Sequence, residues 1–191
     1  MKISKKLLLI ILLTISLTLG FLIFNYFIGL PIAIIYLMLW FDKVLLAQLK
    51  FHGKIGIELI SIPIILTGII YGPVFGFIFG FLILAFIEGF LNIISWSISP
   101  PLEMGWIPFI PSIDTLKEGL SGAIAGVLWN YNFPFLITVL ICIVFRNVFA
   151  FFKDKLTGAW EENIITYPLN IFYNLILAFL LQNYFLIIIN L

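Results

Sequence analysis

The chain reads as an all-α polytopic membrane protein: a single domain, residues 1–191, forming a bundle of about six transmembrane helices. Three observations predict this. Hydrophobic residues make up 63% of the chain and charged ones 10%, with a mean hydropathy of +1.24. Globular domains carry about 25% charged residues, and no soluble fold could hide this much apolar surface. Apolar runs long enough for a hydrocarbon core of about 30 Å recur along the whole chain. What polar sequence remains lies in short stretches, too little for a soluble catalytic domain. A multi-pass protein of the cell membrane is therefore expected, embedded in the lipid bilayer and not an enzyme. A net charge of +1 argues against nucleic acid as a partner. The single cysteine, Cys142, excludes an internal disulfide. With no zinc-type Cys/His spacing, neither a metal nor a cofactor is expected.

Taken in order, the opening Met1-Lys-Ile-Ser-Lys-Lys6 has the look of a secretory leader. Its apolar run continues to Ile28 without a small-residue cleavage site, so a retained first helix over residues 7–28 is the better reading. At about 1.5 Å per residue it spans roughly 33 Å. Ser16 and Gly20 form a small-xxx-small pair on it, a face on which another helix could dock. Residues 30–41 are apolar but short, and Asp42-Lys43 follows. The stretch 30–49 is either a re-entrant or interfacial segment, or a crossing in which Asp42 and Lys43 neutralise each other. His52, between Lys50 and Lys54, reads as a solvated interfacial side chain.

The stretch I-P-I-I-L-T-G-I-I-Y-G-P-V-F-G-F-I-F-G, residues 62–80, organises the rest. Proline has no amide hydrogen and disfavours helix in the residue before it, so one helix should stop near Tyr71. Proline is also suited to the first position of a helix, so a second should open at Pro73. The result is a hairpin of apolar arms, residues 55–71 and 73–98, with almost no loop. Gly72, Gly76 and Gly80 then form a flat seam for another helix backbone. Farther along, Glu88, Asn92 and Ser95 share one face. A carboxylate in a membrane helix is costly, so Glu88 should face the bundle interior or a cavity.

Prolines 100, 101, 108 and 111 predict an irregular polar segment over 99–118, with Trp106 as an interface anchor. Residues 120–152 suit two short helices turning at 130–134, with Gly122 and Gly126 repeating the small-residue spacing. A charged loop over 146–162, containing Trp160, precedes a last helix at 164–189. Asn163, Tyr167, Asn170 and Asn174 are spaced 4, 3 and 4, one stripe four turns long. Amide side chains are costly against lipid, so this stripe should face protein, water or a ligand.

The 62–80 run resembles the junction of the second and third helices in the substrate-binding S components of energy-coupling-factor vitamin transporters. F-I-P-S-I-D-T-L-K-E-G-L-S-G-A-I-A-G, residues 109–126, is similar to the proline loop and fourth helix of that family. Ser16 and Gly20 resemble the small-residue motif by which the family's first helix docks on its partner. The resemblance implies a subunit that captures a vitamin-like small molecule from outside. It implies as partners a transmembrane coupling subunit and two cytoplasmic ATPases. The family arrangement puts Tyr71-Gly72-Pro73 inside and the Arg146/Lys153/Lys155 region outside. With an inside N-terminus and every segment crossing, all ten Lys and Arg residues fall on the cytoplasmic side instead.

The substrate is expected where the last helix meets the outer loops. Trp160 or Trp96 would stack on a flat heteroaromatic ring under Trp106, while Asn163, Tyr167 and Asn170 read its edge, with Asn92 and Asn174 deeper. Glu88 or Glu162 would balance a positive charge. An alternative is a scaffolding membrane protein similar to the rod-shape protein MreD, with no ligand. An enzyme acting on lipid intermediates would need more than Glu103, Asp114 and Glu118 in one loop.

Overall fold

A computed structural model describes residues 5–46, 58–96, 109–158 and 164–191. Every regular element in them is helical. In chain order these are α1 (Lys5–Phe27), α2 (Leu30–Trp40, extended by a π-helical turn Phe41–Leu46), α3 (Ser61–Tyr71), α4 (Pro73–Ile78), a second π-helical turn Phe79–Ile83, α5 (Leu84–Trp96), α6 (Ile113–Asn130), α7 (Phe135–Thr157), α8 (Thr166–Leu180) and α9 (Gln182–Ile189). Three of the stretches, Ile10–Phe27, Pro73–Phe90 and Phe135–Thr157, are long and apolar enough to cross a membrane. The α8–α9 pair, bent by 72°, makes a fourth if counted as one span.

The hairpin forms as the sequence dictates. Gly72 ends α3 at φ 88, ψ 170, a conformation side chains rarely adopt, and Pro73 opens α4. Nothing lies within 4 Å of where a Gly72 Cβ would stand, so Gly72 makes the bend rather than a seam contact, a correction to its expected role. The seam proper involves α6. A Cβ on Gly76 would sit 2.7 Å from the carbonyl oxygen of Gly122, and one on Gly126 2.5 Å from the nitrogen of Pro73. Helix α6 therefore lies backbone-to-backbone in the hairpin, where only glycine fits. Gly80 continues the seam inside the π-helical turn, 2.7 Å by the same measure from the backbone of Glu118.

Residues 30–46 form helix α2 and its π-helical turn. They run back along α1 and bury Ile32, Ile35, Tyr36 and Leu39 in the core beside α3. This also corrects the expected docking face. Ser16 is buried: its hydroxyl accepts from Trp40 Nε1 at 3.0 Å and its carbonyl from the Tyr36 hydroxyl at 2.8 Å, while the Tyr36 ring fills the space beside Gly20. The small pair receives the chain's own second helix. The outer face of α1 stays apolar and exposed, and its threonines return their hydroxyls to their own backbone, Thr14 to Ile10 and Thr18 to Thr14.

Three boundaries differ from expectation. The irregular proline segment gives way to helix already at Ile113, because Ser112 and Thr115 cap each other's backbone in a reciprocal box. The supposed charged loop after residue 146 is helix through Thr157, closed by Gly158 in the left-handed region. The last helix breaks at Leu181.

A charged cavity at one end of the bundle

The ends of α2 and α7, the first turns of α5 and the starts of α3, α6 and α8 converge at the pole opposite the Gly72-Pro73 bend. They enclose a cavity of about 670 Å³. Nine of its lining side chains are ionisable acids and bases: Lys43, Glu58, Glu88, Asp114, Lys117, Glu118, Arg146, Lys153 and Asp154.

Arg146 is central. It interrupts the apolar run of α7, is 5% exposed, and donates its Nε to Glu118 Oε1 at 2.6 Å and its Nη2 to Glu58. Two carboxylates thus share one guanidinium, whose planar fork suits this double pairing. Lys43, delivered by the π-helical turn after α2, pairs with Glu88 Oε1 at 2.7 Å. Its neighbour Asp42 accepts the Leu59 amide at 2.6 Å, tying the approach to α3 onto the end of α2.

Asp114, nearer the rim, is the most exposed of these groups. Asp114 receives Lys117 at 3.0 Å and Lys153 at 3.0 and 3.1 Å. Burial by itself would raise the Asp114 carboxyl, but the two ammonium groups outweigh it and hold the group below the ordinary carboxylate range. Lys153 also lies 3.4 Å from Asp154, which accepts the Tyr167 hydroxyl at 2.5 Å.

The amide stripe of α8 faces α7 and α3. Asn147 Nδ2 donates to Asn170 Oδ1 at 3.2 Å, and Asn174 Nδ2 donates to the Glu58 carbonyl at 2.9 Å. Among the expected ligand residues, Glu88, Tyr167 and Asn170 line the cavity, each already engaged by a neighbour in the chain. Asn174 does not line it; its role is to hold the approach to α3 against α8. Asn92 and Trp96 fall on α5 beyond Glu88. Trp106, Trp160, Glu162 and Asn163 lie outside the described residues.

Lys43, Glu58, Glu118, Arg146 and Asp154 were not expected as site residues. Arg146 carried a signal: a lone arginine within an apolar run is functional by default when the run is a membrane helix. Among the described residues no group of His, Cys, Asp and Glu could hold a metal ion. No protein-family model, curated protein or solved structure matches the chain.

Proposed function

We propose that the chain is the substrate-capture subunit of a membrane uptake system, of the kind its resemblance to energy-coupling-factor S components implies. It would bind a small vitamin-like molecule in the charged cavity and act with a coupling subunit and its ATPases, without chemistry of its own. The observation that carries this is the cavity. Its volume of about 670 Å³ falls within the roughly 300–1,000 Å³ of small-molecule sites. Nine charged groups drawn into an otherwise apolar bundle incur a desolvation cost that a purely structural bundle has no reason to bear. Among the described residues the rods α1, α2, α3, α4–α5, α6, α7 and α8–α9 number seven, one more than the six-helix layout of that family.

The test is binding by the purified protein in detergent or nanodiscs, followed by tryptophan fluorescence and thermal shift against a vitamin panel. A saturable response is expected from at least one compound. Tyr167→Phe should weaken it about 5- to 150-fold through one lost polar partner. Asn190→Ala, at the opposite pole, should leave affinity unchanged. Silence across the panel would leave the ligand-free scaffold as the better reading.

A further inference from the structure

The pairing in the cavity divides into two sets. In the outer set Asp114 and Asp154 face Lys117 and Lys153, two against two. In the inner set Glu58, Glu88 and Glu118 pair with Lys43 and Arg146, and Lys117 adds its field at Glu58 from the outer set. Of the nine charged side chains lining the cavity five are carboxylates and four are bases, so the lining is one positive charge short. The shortfall has an address. Glu118 is 2% exposed, Arg146 occupies its Oε1, and its Oε2 is buried without a hydrogen-bond partner among those residues. A buried, unsatisfied carboxylate oxygen is costly, more so in a medium that screens poorly. Glu88, by contrast, is neutralised by Lys43.

From this we infer that the cavity takes a ligand bearing one positive charge on an ammonium group, and that Glu118, supported by Glu58, is its counter-charge. A bare metal ion fits less well: the described residues form no metal-ligating cluster, and the cavity is far larger than an ion. An ammonium brings both the missing charge and N–H donors for Glu118 Oε2. The inference rests on the cavity being a small-molecule site.

Two measurements test it. The first needs no ligand. Glu118→Gln keeps an acceptor for Arg146 and leaves four carboxylates against four bases in the lining, so the unliganded protein should melt higher, by about 2–4 °C. Were Glu118 simply a structural partner of Arg146, the same change would lower Tm, and that result overturns the inference. The second compares tyramine, tyrosol and 4-hydroxyphenylacetate, which share a ring but carry an ammonium, a hydroxyl and a carboxylate. Tyramine alone should raise Tm, and Glu118→Gln should abolish the rise. Equal stabilisation by the neutral or anionic compound overturns the charge assignment while leaving the cavity as a site. A matching saturable response to NaCl alone assigns the site to an inorganic cation and overturns the ammonium. No response to any of the three, with Tm lowered in the variant, removes both.

Discussion

At the hairpin pole the helices are joined by turns at 28–29, 72, 131–134 and 181, and none of these contains Asp, Glu, Lys or Arg. At the cavity pole nine ionisable side chains line one space, and the starts and ends of six elements meet around them. The first pole is held by backbone against backbone, through Gly68, Gly76, Gly122 and Gly126. The second is held by charge against charge, through Arg146 and Lys43. The two are linked. The seam's last glycine, Gly80, packs on the backbone of Glu118 and Gly119, so the uncharged contact fixes where the buried carboxylate stands. A close glycine crossing gives positional accuracy without polar groups, which membrane helices need because lipid supplies no hydrophobic force between them. That accuracy is then available to a site whose charges must be paired to within a few tenths of an ångström.

The largest effect expected is all-or-none and concerns which way each pole faces. Lys43, Lys117, Arg146, Lys153 and Lys155 gather at the cavity pole, as does the start of α1. Their number alone would place that pole in the cytoplasm. Capture from outside requires the reverse. In a Cys142→Ser background, a cysteine at exposed Lys155 should react with an impermeant maleimide on intact cells, and one at exposed Tyr131 only after permeabilisation. The opposite pattern would mean that the cavity opens inward and would exclude outside capture. Labelling of both from one side would break the two-pole description itself.

Next comes a pair of substitutions, one at each pole. Arg146→Ala strands Glu58 and Glu118, and removing one partner of a buried ionic group typically costs about 3–5 kcal/mol. Gly122→Ala puts a Cβ 2.6 Å from the Gly76 carbonyl oxygen, so the helices must part, at a cost of about 1–3 kcal/mol. Chemical denaturation of the purified protein would rank them. A combined Arg146→Met, Glu58→Gln, Glu118→Gln variant should recover most of the first loss and none of the second. If Arg146→Ala proves milder than Gly122→Ala, water in the cavity is already screening the inner charges.

The hairpin pole was legible in the sequence because its signals are local. Gly72-Pro73 fixes a break by backbone sterics alone, and four-residue glycine spacing announces a flat face. Even there the division of labour among glycines was not: Gly72 makes the bend, and only the fold shows Gly68 opposite Gly122. The cavity pole was half legible. The stripe through Tyr167, Asn170 and Asn174 marks the protein-facing side of α8, and Glu88 lines the cavity, as the cost of a carboxylate against lipid predicts. The pairings were not readable, because Arg146 meets Glu58 and Glu118 across separations of 88 and 28 residues. Spacing along one helix says nothing of such partners. Reading 146–162 as a loop hid Arg146, since charges suggest solvent until the helix is seen to continue. Ser16 and Gly20 show the converse error: a small-residue pair promises a close neighbour but does not say which, and Tyr36 of the same chain filled it.

The smallest effect separates the rim of the cavity from its interior. Asp114 takes part in three hydrogen bonds from two lysines, yet its side chain is 51% exposed. Exposed ion pairs contribute between 0 and about 1 kcal/mol, and molar salt shortens the screening length to about 3 Å. Asp114→Asn should therefore lower stability by under about 1 kcal/mol in dilute buffer and by nothing measurable in 1 M NaCl. The pH dependence has a definite sign. Because the folded carboxyl is held below its unfolded range, its contribution is present above the unfolded value of about 3.9 and fades as pH falls through the folded one. Parent and Asp114→Asn melting curves should differ at pH 6 and merge in acid. In 1 M NaCl the contrast with Arg146→Ala should persist, because the Arg146–Glu118 pair is buried from the salt that screens the rim. If salt erases both differences, the inner and outer sets form one solvated network, and the graded interior that sets Glu118 apart does not exist.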